Sequence, residues 1–289
     1  MKFGYSLFGV GPRHYATVAR EVESAGFESI WMPEHLIMPV SVPPTYPYTD
    51  HGTGEAPIGS ETPLYDPWVA LSFMAAATTT LRLATNVFVL PLRHPIAVAR
   101  SVVTLDRVSG GRVTVGIGVG WLADEFDVMK LSFAERGRRT DEAIEIIRRL
   151  WTETGDIEHH GTYFDFPAVR FQPKPLQKPS IPIEVGGTSK PALRRAGRLG
   201  DGWIEMATPD LDTLRSSLAV IGEERLRAGR DHLPFEVTWS APSPTPDDVR
   251  RAADAGVTRI ICGPRSERIT PEVVHDYVSR LQDEVISRL

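Results

Sequence analysis

Short runs of β-branched and apolar residues alternate along the chain with stretches in which apolar residues recur every three or four positions. The runs predict buried strands, and the stretches predict helices with one apolar face. The pattern predicts eight strands, at 2–7, 29–32, 82–90, 112–116, 181–185, 202–205, 235–238 and 259–262. A helix is predicted after each strand, at 14–25, 67–79, 95–108, 134–151, 190–199, 210–228, 247–255 and 271–289.

This alternation requires a parallel sheet, because each strand is followed by a crossover helix. A closed barrel and an open doubly wound sheet both satisfy it. The count of eight favours an α/β fold with a single (β/α)8 TIM barrel domain over residues 1–289. Insertions are expected after strand 2 (36–66) and before strand 5 (152–179). Active residues of such barrels lie at the C-terminal ends of the strands, so the first insertion is a candidate lid or substrate wall.

Composition narrows the class of protein. The 289 residues contain 32 Lys and Arg against 37 Asp and Glu, for a net charge of −5, which gives no electrostatic affinity for nucleic acid or an anionic membrane. The one cysteine, Cys262, excludes an intrachain disulfide. No apolar run reaches the roughly 18 residues that a membrane span needs, and no signal peptide is recognisable. We therefore expect a cytoplasmic protein that acts on a small molecule.

Two glycine-rich turns are candidate ligand sites. Gly118 and Gly120 follow the fourth strand, with spacing unlike the dinucleotide fingerprint, yet glycines there would let a planar ligand approach. The segment Gly186-Gly187-Thr188-Ser189 lies between the fifth strand and its helix. Free N–H groups and the helix dipole would make this turn an anion site, although an ordinary capped turn has the same pattern.

Polar residues at two other strand ends were weighed for catalysis. Glu34 and His35 follow the second strand, where they could move protons, although a lone histidine at a strand end is often structural. Asp124, Glu125 and Asp127 are interpreted as carboxylates that cap and solvate the start of a helix. The pair His159 and His160 lies in the second insertion, on the face opposite the active loops, so no metal site is predicted.

Several motifs follow one another in a characteristic order. They are Ala84-Thr85-Asn86-Val87, Pro91-Leu92-Arg93-His94-Pro95, Thr104-Leu105-Asp106-Arg107-Val108-Ser109-Gly110-Gly111-Arg112, Gly116-Ile117-Gly118-Val119-Gly120-Trp121, Glu125-Phe126, Phe133-Ala134-Glu135-Arg136-Gly137, Pro173-Lys174-Pro175, Val185-Gly186-Gly187 and Gly200-Asp201-Gly202-Trp203. In order and spacing they resemble the luciferase-like monooxygenase superfamily, in particular its branch that uses the deazaflavin coenzyme F420.

The resemblance implies that the coenzyme lies across the C-terminal mouth of a barrel. A non-prolyl cis peptide at Asn86–Val87 would form a bulge behind the coenzyme ring. Glu34 and His35 match the acidic–histidine pair beside the ring, and both are predicted to be catalytic. The implied cofactor-binding residues are Thr85, Asn86, Val87, Gly118, Gly120, Gly186, Gly187, Thr188 and Ser189.

The predicted activity is hydride transfer between coenzyme F420 and a small organic substrate. The sugar-phosphate dehydrogenases of this branch have an acid where this chain has Ala123, so their reaction is not carried over. An FMN-dependent monooxygenase and a non-catalytic flavin-binding barrel are the alternatives. Tyr46, Tyr48 and His51 of the first insertion predict an aromatic-lined pocket, or else a solvent flap. Apolar residues around more than one face of 67–79 predict a homodimer.

Overall fold

The strands close into a ring of parallel neighbours. The computed structural model describes residues 1–43, 46–48, 54, 56–206, 210–264, 266 and 268–289. The strands are β1 (Lys2–Ser6), β2 (Ser29–Met32), β3 (Arg82–Thr85), β4 (Phe88–Val89), β5 (Val113–Gly118), β6 (Ile157–His160), β7 (Asp165–Val169), β8 (Ile183–Gly186), β9 (Gly202–Ile204), β10 (Glu236–Ser240) and β11 (Arg259–Cys262). The order β3-β2-β1-β11-β10-β9-β8-β5 closes through the pairing of β3 with β5, which confirms the (β/α)8 barrel.

The outer ring consists of helices that follow the barrel strands. They are α1 (Tyr15–Ser24), α2 (Pro67–Ala75), α3 (Pro95–Val108), α4 (Ala123–Val128), α5 (Arg136–Thr152), α6 (Lys190–Leu199), α7 (Leu211–Arg227), α8 (Pro246–Asp254) and α9 (Pro271–Glu284). The short helix α4 was not predicted as a separate element, and it contributes to the site described below.

The third predicted strand is interrupted. β3 ends at Thr85, and β4 resumes the pairing with β5 at Phe88 opposite Ile117. From the pair Ala84–Thr114 to the pair Phe88–Ile117 the chain advances four residues while β5 advances three, so one residue bulges out. The bulge contains the Asn86–Val87 peptide, which is cis, as the resemblance implied. The sequence pattern did not reveal the break, because apolar residues lie on both sides of it.

Side chains fill the interior of the barrel in layers. Near its N-terminal end, Arg259 donates to Glu184 at 2.7 Å and to the Thr238 hydroxyl at 2.9 Å, and all three are buried. Above these three side chains lies Trp31, which packs with buried Ala84, Ile204 and Ile261. A Cβ on Gly4 would overlap the Trp31 indole, so the glycine makes room for it. The barrel is therefore closed below its C-terminal mouth.

Two residues of the longest recognised motif anchor loops at the N-terminal end of the barrel. The Arg112 guanidinium donates to the carbonyl oxygens of Ala75, Thr78 and Leu81 at 2.8–3.0 Å. Buried Asp106 accepts from the backbone N–H of Leu176 at 2.6 Å. The motif thus supports the scaffold rather than the mouth.

The second insertion contains the antiparallel hairpin β6–β7, which Glu142 of α5 holds in place. The Glu142 carboxylate accepts from the N–H groups of Tyr163 and Phe164 at 3.1 and 2.9 Å, and lies 3.1 Å from His159 Nε2. His160 pairs with Asp165 on the facing strand. Within the described part of the chain, no three His, Cys, Asp or Glu side chains come together as a metal site. No helix among the described residues is long and apolar enough to cross a membrane.

Candidate active site

The candidate site is at the C-terminal mouth of the barrel, where the ends of β2, β5 and β8 and the Asn86–Val87 bulge converge. His35 lies three residues beyond the end of β2, and its side chain is mostly buried. Its Nδ1 is 3.0 Å from Glu125 Oε2, and the Trp121 indole N–H faces its Nε2 at 3.3 Å. The two rings meet edge to face with centroids 5.8 Å apart. Both nitrogens of His35 therefore have a partner within the protein.

Glu125 corrects the interpretation of the carboxylates that follow the fourth strand. It is completely buried, and its Oε1 accepts from the backbone N–H of Leu36 at 2.7 Å and of Ile37 at 3.4 Å. The expectation that Glu125 caps and solvates a helix start was wrong, because its carboxylate joins α4 to the segment that follows β2. Its place in the Glu125-Phe126 motif was the available signal.

Glu34 points to different partners from those of its neighbour His35. Its side chain is buried, one oxygen accepts from the Val89 N–H at 2.8 Å, and the other pairs with the Arg93 guanidinium. Burial raises the pKa of the Glu34 carboxyl, while Arg93 and the Val89 N–H act against the rise. Glu34 thus ties the end of β2 to the segment after the bulge. Arg93, which sequence reasoning did not single out, completes this tie.

Glycines surround the side chain of Val87, which belongs to the bulge between β3 and β4. A Cβ on Gly118 would come within 2.6 Å of Val87 Cγ2, and a Cβ on Gly186 within 2.8 Å of Val87 Cγ1. These glycines therefore make room first for Val87, which remains partly exposed. A Cβ on Gly120, at φ +83°, would instead meet Val89 and Phe126.

Thr85 and Asn86 differ in what they offer to a ligand. Thr85 is completely buried and its hydroxyl donates to the Gly116 carbonyl at 2.7 Å, so it acts on a ligand only through the position of its neighbours. Asn86 is partly exposed, but its Oδ1 is buried and has no hydrogen-bond partner among the described residues.

The turn after β8 has the form of an anion site. Ser189 is the N-cap of α6, and its hydroxyl accepts from the Ala192 N–H at 3.4 Å. Gly187 has φ +115°, and its carbonyl accepts from the Trp203 indole at 2.8 Å. Thr188 and Ser189 are exposed, and in the described part of the chain nothing accepts from their backbone N–H groups. Two donors and a helix N-terminus are thus available at one point.

Arg136 and Tyr48 lie beside this turn. The Tyr48 hydroxyl is 4.0 Å from the position of a Cβ on Gly187. Burial raises the pKa of Tyr48, and the positive charge of Arg136 opposes the rise. Arg136 donates to the Gly120 carbonyl at 3.1 Å and stacks on Phe133, and no described carboxylate pairs with it. Arg136 belongs to the motif Phe133-Ala134-Glu135-Arg136-Gly137, but no role at the site was predicted for it from the sequence.

A row of aromatic rings crosses the mouth from His35 toward the turn. The Trp121 and Tyr46 centroids are 5.2 Å apart, and those of Tyr46 and Tyr48 are 5.4 Å apart. The described part of the first insertion therefore reaches from the histidine to the anion site, as a wall of the mouth. His51 lies outside the described residues.

A parallel barrel with a buried carboxylate–histidine contact at its C-terminal mouth, and with a turn there whose N–H groups have no acceptor in the described structure, is typical of cofactor-dependent barrel enzymes. The sequence matches the luciferase-like monooxygenase family over residues 1–278, and the chain belongs to this family of enzymes. An uncharacterised protein of Mycobacterium tuberculosis is 37% identical over 265 residues, covering 91% of this chain and 89% of that protein.

Two further proteins are similar to the chain. F420-dependent glucose-6-phosphate dehydrogenase of Amycolatopsis mediterranei is 30% identical over 213 residues, which cover 71% of this chain and 57% of the dehydrogenase. The crystal structure of the monooxygenase RslO1 from Streptomyces bottropensis superimposes with a TM-score of 0.79 at 23% identity, covering 100% of this chain and 99% of RslO1. The second likeness concerns the fold alone.

Proposed function

We propose that the protein is an oxidoreductase that uses coenzyme F420 and transfers hydride between it and a small organic substrate. The observation that carries this proposal is the 30% identity to an F420-dependent dehydrogenase over 71% of the chain. When bound, the coenzyme would supply the hydride chemistry, and the protein would supply binding, orientation and proton transfer.

The residues at the mouth suit such a coenzyme. The N–H groups of Thr188 and Ser189, with the Ser189 hydroxyl, suit its phosphate, and the nearby Arg136 supplies a positive charge that no described carboxylate neutralises. The buried Asn86 Oδ1 is an acceptor without a partner in the described structure, which suits a ring N–H of the coenzyme. Val87 would support the ring, with Gly118, Gly120, Gly186 and Gly187 allowing the close approach of the backbone.

His35 is the proposed proton-transfer residue, because it lies at the mouth and its Nε2 faces away from the buried Glu125. Glu34 is proposed to form the family's acidic–histidine pair with His35. Its proposed role is to hold β4 in position. Its carboxylate is already engaged by Arg93 and Val89.

The proposed substrate is not a sugar phosphate. Ala123, at the start of α4, brings no acid to the position that the sugar-phosphate dehydrogenases of the branch use. Trp121 and Tyr46 offer aromatic surface instead, which favours a substrate with an apolar or aromatic body and one polar oxygen.

Separate titrations with coenzyme F420 and FMN, followed by ligand fluorescence, test the cofactor assignment. We expect micromolar binding of F420 and much weaker binding of FMN. Binding of FMN without F420 would support the alternative, an FMN-dependent monooxygenase. Binding of either without turnover by any reduced coenzyme would leave a flavin-binding protein without this activity.

A further inference from the structure

We propose that Glu125 and Trp121 together fix the protonation of His35. Glu125 keeps the proton on Nδ1, and the Trp121 indole covers Nε2 until a substrate oxygen replaces it. The catalytic consequence rests on the proposed function, whereas the protonation pattern is a property of the chain without coenzyme.

The argument for Nδ1 starts from the carboxylate. An ionised carboxylate can only accept hydrogen bonds. Glu125 is completely buried, and the groups that face it are the backbone N–H groups of Leu36 and Ile37 and the Nδ1 of His35 at 3.0 Å. With the carboxylate ionised, Nδ1 carries the hydrogen of that contact, since otherwise two acceptors would face each other in a buried site.

The argument for Nε2 starts from the indole. A Trp side chain has one N–H and can only donate through it. The Trp121 N–H faces Nε2 at 3.3 Å, so Nε2 is the acceptor and carries no proton. A doubly protonated ring would place two donors opposite each other, and Trp121 would have to move away. Glu125 thus favours the charged ring, and Trp121 opposes it.

The other charged groups near His35 are already paired. Glu34, its neighbour in the chain, is held by Arg93 and the Val89 N–H, so its charge is largely balanced. On the far side of Trp121 lies the Tyr46 ring, at a centroid distance of 5.2 Å. The indole is therefore between the histidine and the loop wall, and a ligand that moves Tyr46 also changes what covers Nε2.

This arrangement assigns His35 the role of a base in the oxidative direction. Once a substrate hydroxyl has replaced the indole, Nε2 would take the hydroxyl proton as the carbinol becomes a carbonyl, and the coenzyme would supply the acceptor for the hydride of the same carbon. In the reductive direction the doubly protonated ring returns that proton to the carbonyl oxygen. Glu125 stabilises the ring cation through Nδ1–H in both directions.

Nitrogen NMR of the histidine-labelled chain without coenzyme tests the proposal. The His35 signals are identified by their loss in His35→Gln. In the parent protein at pH 8, we expect a protonated Nδ1 and an unprotonated Nε2. Glu125→Gln should give a mixture of the two tautomers. Asp127→Asn, which removes an exposed carboxylate from the same helix, should leave the parent pattern unchanged.

Trp121→Phe separates the two halves of the proposal. It retains a ring beside Tyr46 and removes the N–H. We expect Nδ1 to remain protonated and the Nε2 signal to move toward that of a ring nitrogen without a hydrogen bond, because its donor is lost. A purely structural role of Trp121 would not produce a change confined to this signal.

The proposal is overturned if the parent carries its proton on Nε2, or if Trp121→Phe leaves the Nε2 signal of His35 unchanged. The parent measurement is decisive even if Glu125→Gln does not fold. Failure of the chain to bind F420 would refute the proposed function and leave these NMR results intact, so the two failures are distinguishable.

Discussion

At the residue scale, neighbours in sequence serve different tasks at this mouth. Glu34 pairs with Arg93, which follows β4 in the chain, whereas His35 contacts Glu125 of α4. Their partners lie roughly 60 and 90 positions away in sequence. Because of this division, one carboxylate positions backbone and the other orients the histidine proposed to transfer protons.

His35→Ala should separate catalysis from binding. The substitution removes the proton-transfer group and leaves the anion-binding turn intact, so coenzyme affinity should stay nearly unchanged while hydride transfer slows by roughly 10²–10⁴. Single-turnover rates and a binding titration measure the two effects. A variant of lower thermal stability with an unchanged rate per folded molecule would show that His35 only packs.

Gly187→Val should weaken coenzyme binding while the fold persists. Gly187 has φ +115°, where a β-branched residue is strained, and an added Cβ would lie 3.1 Å from Ala192 at the start of α6. The turn must shift, and with it the N–H groups of Thr188 and Ser189. Titration of F420 measures the loss, and Gly222→Val, where nothing lies within 4 Å, is the control. Unchanged affinity would place the phosphate elsewhere.

Some of these residues could be predicted from the sequence, whereas the partners of others could not. The turn around Gly187 could be predicted because its glycines and capping serine act on adjacent backbone, and His35 because the resemblance placed it. Glu125 and Arg93 could not be assigned partners, since a buried pair formed across many residues leaves no local pattern. An acid at the start of a helix has the same local pattern whether it caps the helix or reaches into the barrel.

At the scale of elements, single carboxylates hold whole connections. Glu23 of α1 accepts from the N–H groups of Thr79, Thr80 and Leu81 at 2.6–2.9 Å, and so fixes the turn that leads into β3. Burial raises the pKa of the Glu23 carboxyl, but these hydrogen bonds lower it more, to about 2. The ionised form therefore stabilises the folded state.

Glu23→Gln should reduce the free energy of unfolding at pH 7 by about 1–2 kcal/mol, since three N–H groups lose a charged acceptor. Because the pKa is lowered on folding, the parent's advantage is complete above about 4.5 and is lost as the pH falls toward about 2. Denaturant unfolding at pH 7 and pH 3 measures this, with the exposed Glu158→Gln as control. An equal difference at both pH values would contradict the prediction.

Most elements were predictable because their hydrophobic periodicity is local. The helix α3 begins and ends as predicted, at Pro95 and Val108, since proline marks its first turn and glycines follow its end. The break between β3 and β4 was not predictable from periodicity, because both halves are equally apolar.

At the scale of the whole molecule, one outer face remains apolar. Val69 and Phe73 on α2 are 71% and 57% exposed, and Val108 at the end of the neighbouring α3 is 66% exposed. The predicted buried side of α2 is occupied by Trp68, Leu71 and Met74. The surplus apolar residues thus form a surface that suits a second copy of the chain.

We predict a homodimer that packs through this face. Light scattering at micromolar concentration should give twice the mass of the chain, and Phe73→Asp should give a folded monomer, because a charge would be buried in the interface. Leu226→Asp changes an isolated exposed residue on α7 and should leave the mass unchanged. A monomer mass for the parent would refute the prediction.

The carboxylate of Glu125 also bears on how such a protein diversifies. It holds His35 and the first two residues of the long insertion, Leu36 and Ile37, from a helix outside that insertion. If the chain beyond Ile37 is replaced, Glu125 therefore still orients His35, because this carboxylate belongs to α4. Loops could then be grafted to change substrate preference, in the laboratory or by recombination, while the orientation of His35 is retained.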